Sequence, residues 1–156
     1  MTRKIKISES NLYNIIKQVL IEQEQEKEKK VIEFPSEQFK SFMLTKNHDK
    51  FVNALNANYE KVVVSGNLDL AEMTSITSLP NNLYVKGFLW LKFCKNLTSL
   101  PDNLEVFGHL DLRGTNIKSL PMTLTVKQGL IWIDDTPLNY NEELLQKYDN
   151  FPFYRY

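Results

Sequence analysis

Between residues 62 and 138 the apolar positions of this chain fall on a fixed ruler. Leu68, Leu89, Leu110 and Ile131 make one column and Leu70, Leu91, Leu112 and Ile133 a second, each member 21 residues after the last. Ile76, Leu97, Ile117 and Leu138 follow as a third column, Val64, Val85, Val106 and Val126 as a fourth, and Leu83, Leu104 and Leu124 as a fifth. Gly66, Gly87, Gly108 and Gly129 recur with the same period, and Leu-Pro pairs stand at Leu79-Pro80, Leu100-Pro101 and Leu120-Pro121. Each unit predicts a short strand such as Gly87 to Leu91, then a loop, then an extended return through a segment like "LTSLP". Proline is tolerated in the return because that limb need not donate to a continuous ladder. The recurring glycine is expected to permit a tight turn into the strand.

Outside the repeats the period changes. Phe39, Phe42, Met43, Phe51, Leu55 and Tyr59 lie at helical spacing and predict one or two short helices that feed a first strand at Val62 to Val64. Downstream, Leu144, Leu145 and Tyr148 share one helical face, and an aromatic tail of Phe151, Phe153, Tyr154 and Tyr156 follows. Near the N-terminus, Leu12, Ile15, Ile16, Val19 and Leu20 form an apolar stripe on one face of a helix that Ser8 or Ser10 could cap. From Glu22 to Lys30 only Glu, Gln and Lys occur, a solvated spacer.

A 20- to 29-residue period with one x-L-x-L strand per unit is the mark of a leucine-rich-repeat solenoid, in which stacked turns bury leucines that one turn alone could not. The chain therefore reads as an α+β solenoid of about four parallel strands. Its parts are an amphipathic helix and spacer (1–30), a helical N-terminal cap (31–61), the repeats (62–138) and a C-terminal helical cap with its tail (139–156). Caps are expected because a terminal repeat would otherwise expose its leucines. The tail could instead be a docking segment for a partner.

The "SLPxxLxVxGxLxLxxTxIxSLP" sentence resembles the short leucine-rich repeats of bacteriophage proteins and, more distantly, of bacterial effectors. The resemblance covers Val62 to Leu138, about half the chain, and implies the fold rather than an activity. Effector relatives often add a ubiquitin-ligase domain with a catalytic cysteine. Here the single cysteine, Cys94, lies within a repeat, so that activity is not carried over. The N-terminal "ISESNLYNIIKQVLIE" is similar to helices that front virion-associated proteins of large tailed phages. That likeness implies a targeting helix and, at Leu20-Ile21-Glu22, a site where a maturation protease would cut after Glu22. It also implies a home in the bacterial host cytoplasm, the virion, or both.

Composition narrows the classes. Lys and Arg number 19, as do Asp and Glu, so the formal net charge is zero and counterion release on a nucleic acid would contribute little. No apolar run reaches membrane length, and no secretory signal precedes the helix. One cysteine excludes an internal disulfide framework. The two histidines, His48 and His109, are far apart, no phosphate-binding loop is present, and no cofactor or metal is expected. The neighbouring Asp134 and Asp135 read as a solvated turn. The checklist for an enzyme thus finds no nucleophile with a base and no metal cluster.

What varies between repeats is the side of each strand opposite the leucines. One column runs Asn67, Phe88, His109, Leu130; the next runs Asp69, Trp90, Asp111, Trp132; a third, past the strands, runs Ala71, Lys92, Arg113, Asp134. Both tryptophans of the chain are in this set. Tryptophan anchors ringed by charge compose a protein-binding hot spot, so Asp69, Phe88, Trp90, His109, Asp111, Leu130 and Trp132 are the expected partner-binding residues on a concave face. Two other readings stand beside it. The N-terminal helix or the aromatic tail could cover the face, or aromatics beside carboxylates could stack on a carbohydrate.

Overall fold

The computed structural model describes residues 30–154. The helix carrying Leu12, Ile15, Ile16, Val19 and Leu20, the processing position Glu22, and Tyr156 lie outside the described residues.

The repeat period is realised twice over. Each repeat supplies one strand to each of two sheets, every pairing in both sheets is parallel, and partners in successive repeats stand 20 or 21 residues apart. The first sheet runs β1 (Val31–Pro35), β2 (Lys61–Ser65), β4 (Leu83–Val85), β6 (Glu105–Val106) and β8 (Thr125–Val126). The second runs β3 (Leu68–Asp69), β5 (Leu89–Trp90), β7 (Leu110–Asp111), β9 (Ile131–Trp132) and β10 (Phe153–Tyr154). Helices are few: α1 (Ser36–Met43), α2 (His48–Asn58) and α3 (Glu142–Lys147), with a 3-10 turn at Pro137–Tyr140.

Where the spacing predicts about four strands, ten form among the described residues. Segments such as Leu83–Val85 show too little alternation to announce a strand, so their valines and leucines read only as packing columns. In the structure Leu83, Val85, Leu104 and Val106 point inward from one sheet, and Leu68, Leu89, Leu110 and Ile131 face them from the other. Leu70, Leu91, Leu112 and Ile133 are fully buried just past the second sheet, and Ile76, Leu97, Ile117 and Leu138 fill the core from the return limb. The apolar columns are thus one continuous core.

The first of the recurring glycines, Gly66, has the left-handed backbone that a turn into the strand needs, at φ 80°, whereas the later ones act through close approach. Among Gly87, Gly108 and Gly129 none has positive φ. A Cβ on Gly87 would come within 2.7 Å of the Gly66 carbonyl carbon and oxygen, and one on Gly129 would meet the Gly108 carbonyl. Left-handed backbone is needed instead after each strand of the second sheet, at Glu72, Phe93, Gly114 and Asp135, where φ lies between 56° and 66°. Phe93 is the costly member, because a bulky side chain in that region is disfavoured by about 1–2 kcal/mol. Its ring lies over Gly114, where a Cβ would collide with it.

Both ends of the stack are closed by aromatic residues. At the N-terminal end Phe34 of β1 meets Phe39 and Phe51 edge-on, at ring centroids 5.8 and 5.9 Å, burying β1 against α1 and α2. The strand β1 has no counterpart in the helical spacing read from residues 31–61. At the other end the Tyr148 hydroxyl donates to the Leu120 carbonyl at 2.8 Å and accepts from the Leu120 N–H at 3.1 Å. The tail pairs beside β9 as β10, with Phe153 aligned to Ile131 and Tyr154 to Trp132. Phe151 and Phe153 stack on each other, half-buried against the core. Among the described residues no helix is long and apolar enough to cross a membrane.

Candidate functional site

The outer side of the second sheet carries the variable letters. Parallel register places Asp69, Trp90, Asp111, Trp132 and Tyr154 in one column. One residue before each repeat strand stand Asn67, Phe88, His109 and Leu130. The tail extends the sheet at its edge through β10, so among the described elements it adds to this face rather than crossing it.

Four rings join into one ladder. Phe88 meets Trp90 edge-on at 5.7 Å and tilts against His109 at 5.0 Å, and His109 stacks on Trp132 at 5.0 Å with 14° between planes. The Arg113 guanidinium lies over the Trp132 ring, 5.0 Å from its centroid. Leu130 continues the patch and is 36% exposed, while Phe88, Trp90, His109 and Trp132 are half-buried.

The polar members are held by the backbone. The His109 Nδ1 accepts the Leu130 N–H at 2.9 Å, so the neutral ring carries its proton on Nε2. Asn67 does the same for the Phe88 N–H with its side-chain oxygen, also at 2.9 Å. Asp69 accepts from the Ala71 N–H at 3.0 Å, remains exposed, and has Lys40 of α1 at 3.8 Å.

Asp111, expected among the partner-binding residues of this face, is withdrawn from the surface. It is 2% exposed, and its two oxygens accept from Arg113 Nε at 2.9 Å and Nη2 at 2.6 Å. A third bond comes from the Arg113 N–H at 3.1 Å. A carboxylate between two tryptophan-bearing strands has little water, so it takes the nearest fork-shaped cation. The residue that reaches the surface is therefore Arg113, and Asp111 sets where it points. Arg113 stands in the third variable column, but nothing in the spacing reveals that it turns back over the strand.

Beyond Arg113 the face opens into a cleft of about 400 Å³ lined by Lys92, Phe93, Arg113, Asp134, Asn139 and Tyr140, among others. Tyr140 is 75% exposed there, and the Lys92 ammonium lies 4.8 Å from the Phe93 ring centroid. Phe93 is the site feature with no sequence signal. Its left-handed backbone is shared by Glu72, Gly114 and Asp135 at the same place in the other repeats.

Comparison with protein-family models, with curated proteins and with solved structures finds no match to this chain. The reading of the face rests on its own chemistry.

Among the described residues no group of three or more His, Cys, Asp or Glu side chains is placed to hold a metal ion. Burial pushes the Cys94 thiol up to about 11, and its Sγ–H donates to the Leu70 carbonyl at 2.9 Å. A thiol so placed carries almost no thiolate near neutral pH. His48 is buried 61 residues before His109, beside Thr77 and Asp49 at the N-terminal cap.

Proposed function

We propose that the chain is a leucine-rich-repeat solenoid of phage type that binds another protein, without catalysis, through the ladder on its second sheet. The carrying observation is the composition of that patch. Trp90, Trp132 and Arg113 are residue types that dominate binding hot spots, and here they are held in place before any partner arrives. The Asp111 carboxylate fixes the guanidinium, and the Leu130 N–H fixes the imidazole. Rings locked by neighbours lose little rotamer freedom on binding, which favours affinity. A sugar would want a free aromatic face, whereas Trp132 shares its ring with His109 and Arg113, so the protein reading is the stronger.

The test is comparative capture from bacterial or phage-infected lysate on immobilised chain. A Trp90→Ala, Trp132→Ala variant should lose its specific partner by at least about 30-fold, the effect of one hot-spot residue worth about 2 kcal/mol. Its far-ultraviolet dichroism should be unchanged. Equal recovery of the same partner on both proteins would refute the assignment of the face.

A further inference from the structure

The cap at the N-terminal end of the stack keeps an apolar outer surface. A groove of about 500 Å³ is lined by Lys30, Ile32, Phe34, Phe51, Ala54 and Tyr59 among others, residues of β1, of α2 and of the chain beside them. The apolar surface runs on past it. Phe42 of α1, 36% exposed, stacks on Phe51 at 4.8 Å, and Val31 is 55% exposed. Among the described residues no strand precedes β1 in the first sheet. A solenoid's terminal unit needs a polar outer face, and this end is still short of one.

The chain itself says what lies closest. Lys30, the first described residue, lines the groove, and its carbonyl accepts from the Glu60 N–H at 3.0 Å. The preceding segment is therefore delivered to the groove's margin. Residues 22–30 hold only Glu, Gln and Lys and have nothing apolar to put into it. The next residues back are Ile21, Leu20 and Val19, the end of the stripe that Leu12, Ile15 and Ile16 begin. A flexible spacer of 9 residues spans roughly 15–18 Å root-mean-square. So short a tether holds its stripe at an effective concentration on the order of millimolar, which favours it over a free partner of equal contact. The stripe also has the form such a groove takes, since Leu12, Ile15, Ile16 and Val19 stand at i, i+3, i+4 and i+7. None of the ladder residues lines this groove with Lys30, so the tether favours the cap over the ladder.

We propose that residues 12–20 dock as an amphipathic helix in the groove of β1 and α2, their apolar stripe against Ile32, Phe34 and Phe51, so that the chain covers its own first turn. This contact is separate from the aromatic ladder, and neither depends on the other. While docked, the stripe is withheld from every other surface, and a partner that recruits the chain by this helix must displace it.

The test uses the full chain with Lys17→Cys carrying a nitroxide on the polar face of the segment; Cys94 is buried and stays unlabelled. Paramagnetic broadening should weaken the Ala54 and Asn58 amide signals at least about twofold relative to that of Lys118 on the return limb, as a groove occupied most of the time requires. Ile16→Asp with Val19→Asp in the stripe should restore those signals. So should Ala54→Arg, which sits on an exposed helix position and leaves the fold intact. Uniform broadening, or broadening that survives both variants, overturns the proposal. Broadening centred on His109 and Trp132 overturns it as well, and shows the segment lying on the ladder instead. So does broadening of an isotope-labelled chain by a separate spin-labelled one, because the groove would then hold a second copy.

Discussion

Asp111 and Arg113 divide one task between a buried group and an exposed one. Removing the acid takes from Arg113 three charge-assisted hydrogen bonds, two of them from its guanidinium. Asp111→Ala should lower stability by about 1–3 kcal/mol in urea unfolding, because a nearly buried charge pair is broken on one side only. Tryptophan emission should shift with it, since Arg113 is no longer held over the ring. His109 gives a cleaner separation. Asn67 shows that an amide oxygen serves the same N–H one repeat earlier. His109→Asn should therefore keep stability within about 1 kcal/mol while breaking the ring ladder and weakening partner binding; a large fall in melting temperature would contradict this. The outward placement of Phe88, Trp90, His109, Leu130 and Trp132 was legible in the sequence, because alternation along a strand dictates it. The withdrawal of Asp111 was not, since it depends on a side chain two residues on folding back.

At the scale of elements the two sheets differ in what holds their outer faces. The first is tied by charge. Lys127 and then Lys61 hold the Glu105 carboxyl below its ordinary value of 4.5, burial opposing them. A group whose folded value is depressed contributes stability that is present above its unfolded value and lost as pH falls through the folded one. Glu105 should thus support the fold at neutral pH and release it in acid below about 4.5, and Glu105→Gln should flatten the acid limb of stability against pH. Lys127 is raised by the same contact, so its share fades only in alkali above 10.5 and is not counted again near neutrality. The glycine column gives a steric prediction. Gly129→Ala would press a methyl on the Gly108 carbonyl, a backbone atom that cannot swing aside, and should cost about 1–3 kcal/mol as overpacking does. The period exposed these glycines at once and suggested turns, which holds at Gly66; that Gly87 and Gly129 are points of backbone contact follows only from in-register stacking.

Across the whole molecule the repeat period explains most of the architecture. A chain that returns to the same column every 21 residues must stack its strands in parallel, and the buried columns then follow. The strands β4, β6 and β8 of the first sheet and the flanking strands β1 and β10 were hidden, because their apolar residues read as packing columns and single added strands carry no period of their own. The proposed binding function belongs to this scale too, since the ladder exists only when three successive repeats are in register. Its most direct test places a photo-cross-linking phenylalanine analogue at Leu130, which is exposed and borders Trp132 and His109. A control protein carries it at Lys118, which is exposed on the return limb. The account predicts a cross-linked partner from position 130 and none from position 118. Cross-links from 118 alone, or the same products from both positions, would contradict it.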